Sequence, residues 1–120
     1  IFNIPIIKAV PVFKALDLKA IEVYSGVCDY ILFDTKNKNK NGYNGGTGKT
    51  FDWNIIKNNK LWLDKQKPWI LSGGLNINNI EQAITYTGTK AVDVSSGIEY
   101  NTGIKSKELM QFFADKVNNI

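Results

Sequence analysis

A strand, a turn and the start of a helix follow one another in Trp69-Ile70-Leu71-Ser72-Gly73-Gly74-Leu75-Asn76. The first three residues are apolar, as in a buried strand, and the two glycines permit a tight turn. Asn76 is a favourable N-cap residue. Apolar side chains follow it at helical spacing, at Ile77, Ile80, Ala83 and Ile84. The segment therefore predicts one βα unit.

The same order of elements recurs on both sides of this unit. Three more short and mostly apolar strands are each followed by a helical pattern. The strands are predicted at Ile4 to Val10, Tyr30 to Phe33 and Ala91 to Ser95, and the helices begin near Asp17, Asn54 and Ser106. Four βα units in succession predict an α/β fold with a parallel sheet and helices packed on it.

The composition is that of a single globular domain spanning residues 1–120. The chain is 43% hydrophobic and 12% aromatic, which is enough to form a core. A four-stranded parallel sheet on its own would nevertheless leave two open edges and one uncovered face. The predicted architecture is therefore incomplete, and because residue 1 is isoleucine we expect a segment upstream.

The charge pattern argues against nucleic acid as a partner. The net charge is +4, but all fifteen basic residues are lysine. Arginine provides the forked donor used to read guanine and grip phosphate, so its absence weakens any hypothesis of sequence-specific binding. The run of Lys36, Lys38 and Lys40 among asparagines is typical of a solvated loop.

The cysteine count and hydropathy indicate a reducing compartment. Cys28 is the one cysteine and there is no histidine, so neither a disulfide framework nor a structural zinc site is expected. The most apolar stretch, residues 1–13, contains Asn3 and Lys8 and is shorter than the roughly 18 residues of a membrane span. We expect a cytoplasmic protein without a membrane partner.

Small and polar residues follow three of the predicted strands. They are Asp34, Ser72-Gly73-Gly74 and Ser95-Ser96-Gly97. The carboxyl ends of parallel strands form the edge where α/β folds bind their ligands. Glycines there let backbone N–H groups approach an anion closely, so two such turns on neighbouring strands predict a phosphate cradle. The alternative is that both are ordinary strand-to-helix turns.

Two carboxylates and one thiol need separate interpretations. Asp34 closes an apolar strand, which favours an acid at the active edge over a loop N-cap or Asx turn that organises Thr35 and Lys36. Asp93 lies inside the last strand, facing either a barrel interior or solvent on an uncovered sheet. Cys28 precedes its strand at the opposite end, which favours a small buried side chain over a nucleophile.

A P-loop is not present. The string Gly46-Thr47-Gly48-Lys49-Thr50 has the end of that motif, but the position of its first glycine is Tyr43. The preceding strand also ends far upstream. Binding of a nucleoside triphosphate is therefore not expected.

Four strings in this order strongly resemble phosphoribosylanthranilate isomerases across nearly the whole chain. They are Ile31-Leu32-Phe33-Asp34-Thr35-Lys36, residues 45–53 (Gly45 to Trp53), Leu71-Ser72-Gly73-Gly74-Leu75, and residues 91–99 (Ala91 to Glu99). The resemblance implies that the four units are strands five to eight of a (β/α)8 TIM barrel. It also implies an Amadori rearrangement of N-(5-phosphoribosyl)anthranilate in tryptophan biosynthesis, with no cofactor or metal.

The resemblance also implies roles for individual residues. Asp34 matches the family's general acid, which protonates the furanose oxygen. The phosphate-binding positions carry over to Gly73, Gly74, Ser96 and Gly97, and Asp93 matches an aspartate that faces the substrate. The loop from Gly45 to Thr50 resembles the family's sixth βα loop, which borders the active site.

The family's general base is a cysteine on the first barrel strand, which this chain lacks. We therefore expect a half-barrel that is inactive alone and binds a phosphorylated substrate once an N-terminal half is supplied. Two alternatives are a non-catalytic remnant that self-associates with a second copy, and another phosphate-binding barrel enzyme such as indole-glycerol-phosphate synthase. The last fits the glycine turns but not the string from Gly45 to Trp53.

Overall fold

A parallel sheet of three strands forms the centre of the chain. The structure is a computed structural model and describes residues 3–35 and 49–120. Its strands are β1 (Ile7–Val12), β2 (Tyr30–Thr35) and β3 (Trp69–Leu71), and they lie in the order β1-β2-β3. Ala9 pairs with Leu32, and Leu32 pairs with Ile70. The strand-then-helix order predicted from the sequence is confirmed for these three units.

The helices are short, and most of them follow a strand. A 3-10 helix (Ala15–Lys19) and α1 (Ala20–Tyr24) follow β1, while α2 (Asn54–Asn58) and α3 (Lys60–Leu63) follow β2. Helix α4 (Ile80–Thr87) follows β3, and a second 3-10 helix (Ser96–Ile98), a hairpin of β4 (Glu99–Asn101) and β5 (Ile104–Lys105), and α5 (Lys107–Asn118) complete the chain. No helix in the described ranges has the length and apolarity to cross a membrane.

The predicted fourth strand is reduced to one bridge. Leu71 pairs with Val92 in parallel, and the Leu71 carbonyl accepts the Asp93 N–H at 2.9 Å. Beyond Leu71 the chain turns away through Gly73 and Gly74, both with positive φ. No edge remains for residues 94 and 95 to pair with, so the strand predicted from Ala91 to Ser95 does not form over its full length.

Two other boundaries differ from the prediction. Strand β1 starts at Ile7 instead of Ile4 and runs through Pro11. A proline is tolerated there because β1 is at the edge of the described sheet, with a described strand on one side only. Asn76 does accept backbone N–H groups, from Asn78 at 2.8 Å and Asn79 at 3.2 Å. It caps a turn, however, and the regular helix begins only at Ile80.

The sheet has one face under the helices and one open face. Side chains alternate between the faces along β2, so Ile31, Phe33 and Thr35 are buried whereas Leu32 and Asp34 are half-buried. The buried apolar side chains form one cluster with the helices, including Val10, Val12, Ile21, Ile56, Leu63, Leu71, Ile80 and Phe113. We call the other side the open face and define it by Ile7, Ala9, Pro11, Leu32, Asp34, Ile70 and Asp93.

Candidate active site

Asp34 lies next to the last residue of β2, on the open face and half-buried. Its Oδ1 accepts the N–H of Thr35 at 2.7 Å. The alternative interpretation from sequence, a carboxylate that organises the backbone at Thr35, is therefore confirmed in part. The bond uses one carboxylate oxygen and leaves Oδ2 for other contacts, so it fixes the side chain without excluding a role toward a ligand.

The Gly73-Gly74 turn lies directly against this carboxylate. Gly73 has φ +93°, and a Cβ atom there would lie 3.0 Å from Asp34 Oδ1 and 2.7 Å from Thr35 N. Gly74 has φ +66°, and a Cβ atom there would lie 2.6 Å from the Lys49 carbonyl oxygen. Both positions require glycine for backbone conformation and for space. The turn after β3 is thus wedged between the end of β2 and the chain that returns at Lys49.

The turn at Gly97 packs on the turn after β3. A Cβ atom on Gly97 would overlap the carbonyl oxygen of Leu75 and lie 3.0 Å from Asn76 Cα. Only a residue without a side chain allows this approach of two backbones. The structure therefore brings together the two glycine turns that the sequence singled out separately.

The backbone N–H groups of these turns are available. Those of Gly73, Gly74, Ser96 and Gly97 donate to no acceptor within residues 3–35 and 49–120. Buried or half-buried N–H groups usually have a partner. Four N–H groups in two adjoining turns are a group of donors suited to an anion.

Asp93 lies on the open face beside β3. The buried Ser72 donates its hydroxyl to Asp93 Oδ2 at 3.0 Å, while Asp93 itself is exposed. The two interpretations from sequence coincide in this chain, because the side that would line a barrel is also the uncovered one. Ser72 gives the carboxylate a defined orientation at the same sheet edge as Asp34.

Two contacts at this edge were not predicted from the sequence. Thr35, which is buried, donates its hydroxyl to the Lys49 carbonyl at 2.6 Å and so joins the end of β2 to the returning chain. Lys105 donates to the Ser95 carbonyl at 2.8 Å and to Ser95 Oγ at 3.2 Å. The first could have been sought from a hydroxyl next to Asp34. The second depends on the β4–β5 hairpin, which was not predicted from the sequence.

Other candidate features lie elsewhere. Cys28 is buried ahead of β2, as expected of a small apolar side chain. The cytoplasmic location stays a prediction. Within the described part of the chain, no group of three or more carboxylate or thiol side chains is arranged to hold a metal ion. The basic run of Lys36, Lys38 and Lys40 and the loop residues Gly45 to Gly48 lie outside the described residues.

The similarity to known protein families identifies the family of this chain. The sequence model for N-(5'-phosphoribosyl)anthranilate (PRA) isomerase matches residues 2–116. The chain belongs to the PRA isomerase family. Its relatives include the N-(5'-phosphoribosyl)anthranilate isomerases of Rhizobium etli, 39% identical over 98% of this chain, and of Rhodospirillum rubrum, 39% identical over 97%. The chain spans about half the length of the curated relatives it matches, 51% in both cases.

Solved structures of PRA isomerases share the fold. The Thermotoga maritima enzyme superposes with a TM-score of 0.78 at 36% identity, covering 98% of this chain and 53% of that one. A PRA isomerase in complex with reduced 1-(o-carboxyphenylamino)-1-deoxyribulose 5-phosphate gives a TM-score of 0.73 at 30% identity, covering 98% and 50%. The α/β fold with a parallel sheet is therefore that of these barrel enzymes, over half of their length.

Proposed function

We propose that this chain is the C-terminal half of a PRA isomerase active site. The observation that carries the proposal is the convergence of Asp34 and the two glycine turns at one sheet edge in a member of this family. The proposed reaction is the Amadori rearrangement of N-(5-phosphoribosyl)anthranilate, an aminoaldose, into a 1-deoxyribulose 5-phosphate aminoketose. It needs an acid, a base and a site for the phosphate group.

Asp34 is the proposed general acid. It donates a proton to the furanose ring oxygen while the C1–O bond breaks and the anthranilate nitrogen forms a double bond to C1. A base then removes the proton from C2, and the resulting enolamine tautomerises to the ketone. The hydrogen bond from Thr35 N–H to Oδ1 leaves Oδ2 as the oxygen that can carry the transferred proton.

The two glycine turns are the proposed phosphate site. The N–H groups of Gly73, Gly74, Ser96 and Gly97, which have no acceptor among the described residues, are donors of the kind that phosphate oxygens accept from backbone turns. Phosphate sites after the seventh and eighth strands recur in TIM barrels. A related PRA isomerase has been solved with a 5-phosphate ligand, which supports a phosphorylated substrate here. Asp93, oriented by Ser72, is proposed to face the substrate beside this site.

The remaining half of the barrel is the proposed partner. Ile7 on the open face is 55% exposed, and Phe13 just beyond β1 is 71% exposed. Burying such side chains against four further strands would remove apolar surface from water and also close the sheet edges. In the family that half supplies the base, so we expect the chain alone to be inactive.

The test is a complementation assay. Loss of phosphoribosylanthranilate fluorescence is followed with this chain alone, with the separately expressed N-terminal half of the Rhizobium etli relative, and with both together. We expect turnover only in the mixture, and no turnover when the chain in the mixture carries Asp34→Asn. Full turnover by the chain alone would refute the need for a second half.

A second candidate function is a non-catalytic half-barrel that pairs with another copy of itself. The same exposed apolar residues, including Ile7, favour it, because two open faces can cover each other. Sedimentation of the chain alone separates the candidates. A well-folded monomer at high concentration would exclude this alternative, whereas a tight dimer that the N-terminal half fails to dissociate would support it.

A further inference from the structure

Lys105 connects the β4–β5 hairpin to the turn before the second 3-10 helix. It lies in the second strand of that hairpin, and its ammonium group donates to the Ser95 carbonyl at 2.8 Å and to Ser95 Oγ at 3.2 Å. The carbonyl also accepts the Ile98 N–H at 3.3 Å. Two donors converging on one carbonyl oxygen leave that group little freedom to rotate.

Glu99 holds the ammonium group in place. Its side chain is only 12% exposed and lies 3.6 Å from Lys105 Nζ, against 45% exposure for the lysine. The same Glu99 oxygen accepts the Gly103 N–H at 3.1 Å across the hairpin turn. The hairpin therefore holds the ammonium group of Lys105 in one position, unlike a lysine that moves freely on the surface.

Fixing the Ser95 carbonyl also fixes the N–H of Ser96. The two groups belong to one planar peptide, in which C=O and N–H point in opposite directions when the bond is trans. No peptide bond in the described residues is cis. A lysine that holds the carbonyl from one side therefore orients the N–H toward the other side, away from the ammonium group.

We propose that Lys105 is a positioning residue for the phosphate site, acting through the Ser95–Ser96 peptide. The proposal rests on the proposed function, because it presumes that Ser96 N–H binds the substrate phosphate. It adds a residue from outside both glycine turns. Without the lysine, only the longer bond from the Ile98 N–H, at 3.3 Å, holds the Ser95 carbonyl. The peptide can then rotate further, and the Ser96 N–H is directed less firmly at the anion.

The experiment uses the 15N-labelled chain and inorganic phosphate as the probe. Amide resonances of Gly73, Gly74, Ser96 and Gly97 are followed during titration at constant ionic strength, in wild type, Lys105→Met, Lys105→Arg and Lys107→Met. Lys107 is exposed and carries the same charge two residues further on, so its variant is the matched control for net charge. Thermal unfolding of each variant is measured in parallel.

We expect Lys105→Met to weaken phosphate binding roughly fivefold or more, the effect of misdirecting one donor to an anion. It should also shift the Ser96 resonance in the absence of phosphate, with little change in the unfolding temperature. Lys105→Arg should restore binding, and Lys107→Met should match wild type.

Unchanged binding in Lys105→Met, or an equal loss in Lys107→Met, would overturn the role of Lys105 while leaving the phosphate site intact. If phosphate moves none of the four amides in wild type, the phosphate site itself is wrong, and the role of Lys105 with it. The two failures are distinguished by the wild-type titration alone.

Discussion

The two faces of the parallel sheet differ although the same strands supply both. On the covered face, Val10, Ile31, Phe33 and Leu71 are at most 2% exposed, whereas Ile7 on the open face is 55% exposed. Alternation of side chains along each strand therefore gives a buried core on one side of the sheet and solvent-exposed side chains on the other. The helices cover one face and bury its apolar side chains, whereas the proposed site residues Asp34 and Asp93 lie on the open face. Stability and the proposed function therefore depend on different faces of the sheet.

The largest expected effect is loss of activity from a change on the open face. Asp34→Asn in the complemented enzyme removes the proposed acid, and general acid catalysis contributes about 10²- to 10⁴-fold to a rate. The amide oxygen can still accept the Thr35 N–H, so the unfolding temperature should not change. Steady-state kinetics and thermal unfolding measure the two effects. As a control, Asp115→Asn on the surface of α5 should leave both values unchanged; a rate near wild type in Asp34→Asn would remove this residue from the mechanism.

A substitution on the covered face should instead lower the free energy of unfolding. Phe33→Ala deletes a ring that is 0% exposed and contacts Trp69, and such truncations cost about 3–5 kcal/mol of unfolding free energy. Its neighbour Leu32 lies on the open face, so Leu32→Ala in the isolated chain should cost about 1 kcal/mol or less. Urea unfolding monitored by circular dichroism gives both values. Equal costs would mean that the open face is already covered in solution, for example by a second copy.

A change where the two glycine turns meet should affect both stability and binding. Gly97→Ala places a Cβ atom against the Leu75 carbonyl, and overpacking of this kind costs about 1–3 kcal/mol. Since the overlap separates the turns, phosphate affinity should fall as well. Isothermal titration with phosphate and thermal unfolding test this. Gly26→Ala is the control, because a Cβ atom there meets no atom within 4 Å; the same loss in that variant would contradict the packing argument.

The smallest expected effect lies far from the carboxyl ends of the strands. A hydrogen bond from Lys60 lowers the pKa of Asp64, which is a solvent-exposed side chain. Because the pKa of Asp64 is lower in the folded state, its ionised carboxylate stabilises the fold at pH values above its unfolded-state pKa. This contribution is lost as the pH falls through the folded-state pKa. Asp64→Asn should slightly flatten the acid side of a plot of unfolding temperature against pH and leave phosphate binding unchanged. A clear loss of binding would show that the two ends of the sheet are coupled.

Much of the fold could be predicted from local pattern. Trp69–Leu71 forms the predicted strand, and Ser106 caps the predicted last helix by accepting the Leu109 N–H at 3.2 Å. The fourth strand was predicted over its full length but forms only one bridge, and this could not be foreseen because its pairing depends on where β3 ends. Strand β3 ends where Gly73 and Gly74 adopt positive φ, a property of the packed turn. The β4–β5 hairpin was also missed, since its two short strands are exposed apart from Glu99 and carry no apolar alternation.

In the candidate site, as in the fold, local features could be predicted and long-range contacts could not. Residue type and position at a strand end were enough to select Asp34 and the four residues of the proposed phosphate site, and the structure places them at one edge of the sheet. The contacts that fix their geometry are long-range. Thr35 reaches Lys49 across fourteen positions and Lys105 reaches back ten to Ser95, and neither spacing has a recognisable sequence pattern.

The backbone contact between Gly97 and Leu75 has a consequence for recombination among related genes. Because the two turns fit only as a pair, a chimaera with a crossover between residues 75 and 97 would join turns selected in different parents. A crossover before Trp69 would transfer the last two βα units together, with their contact and the Lys105 hairpin intact. We therefore expect these two units to be exchanged between family members more readily together than singly, although the contacts of Gly73 with Thr35 and of Gly74 with Lys49 would still join residues from the two parents.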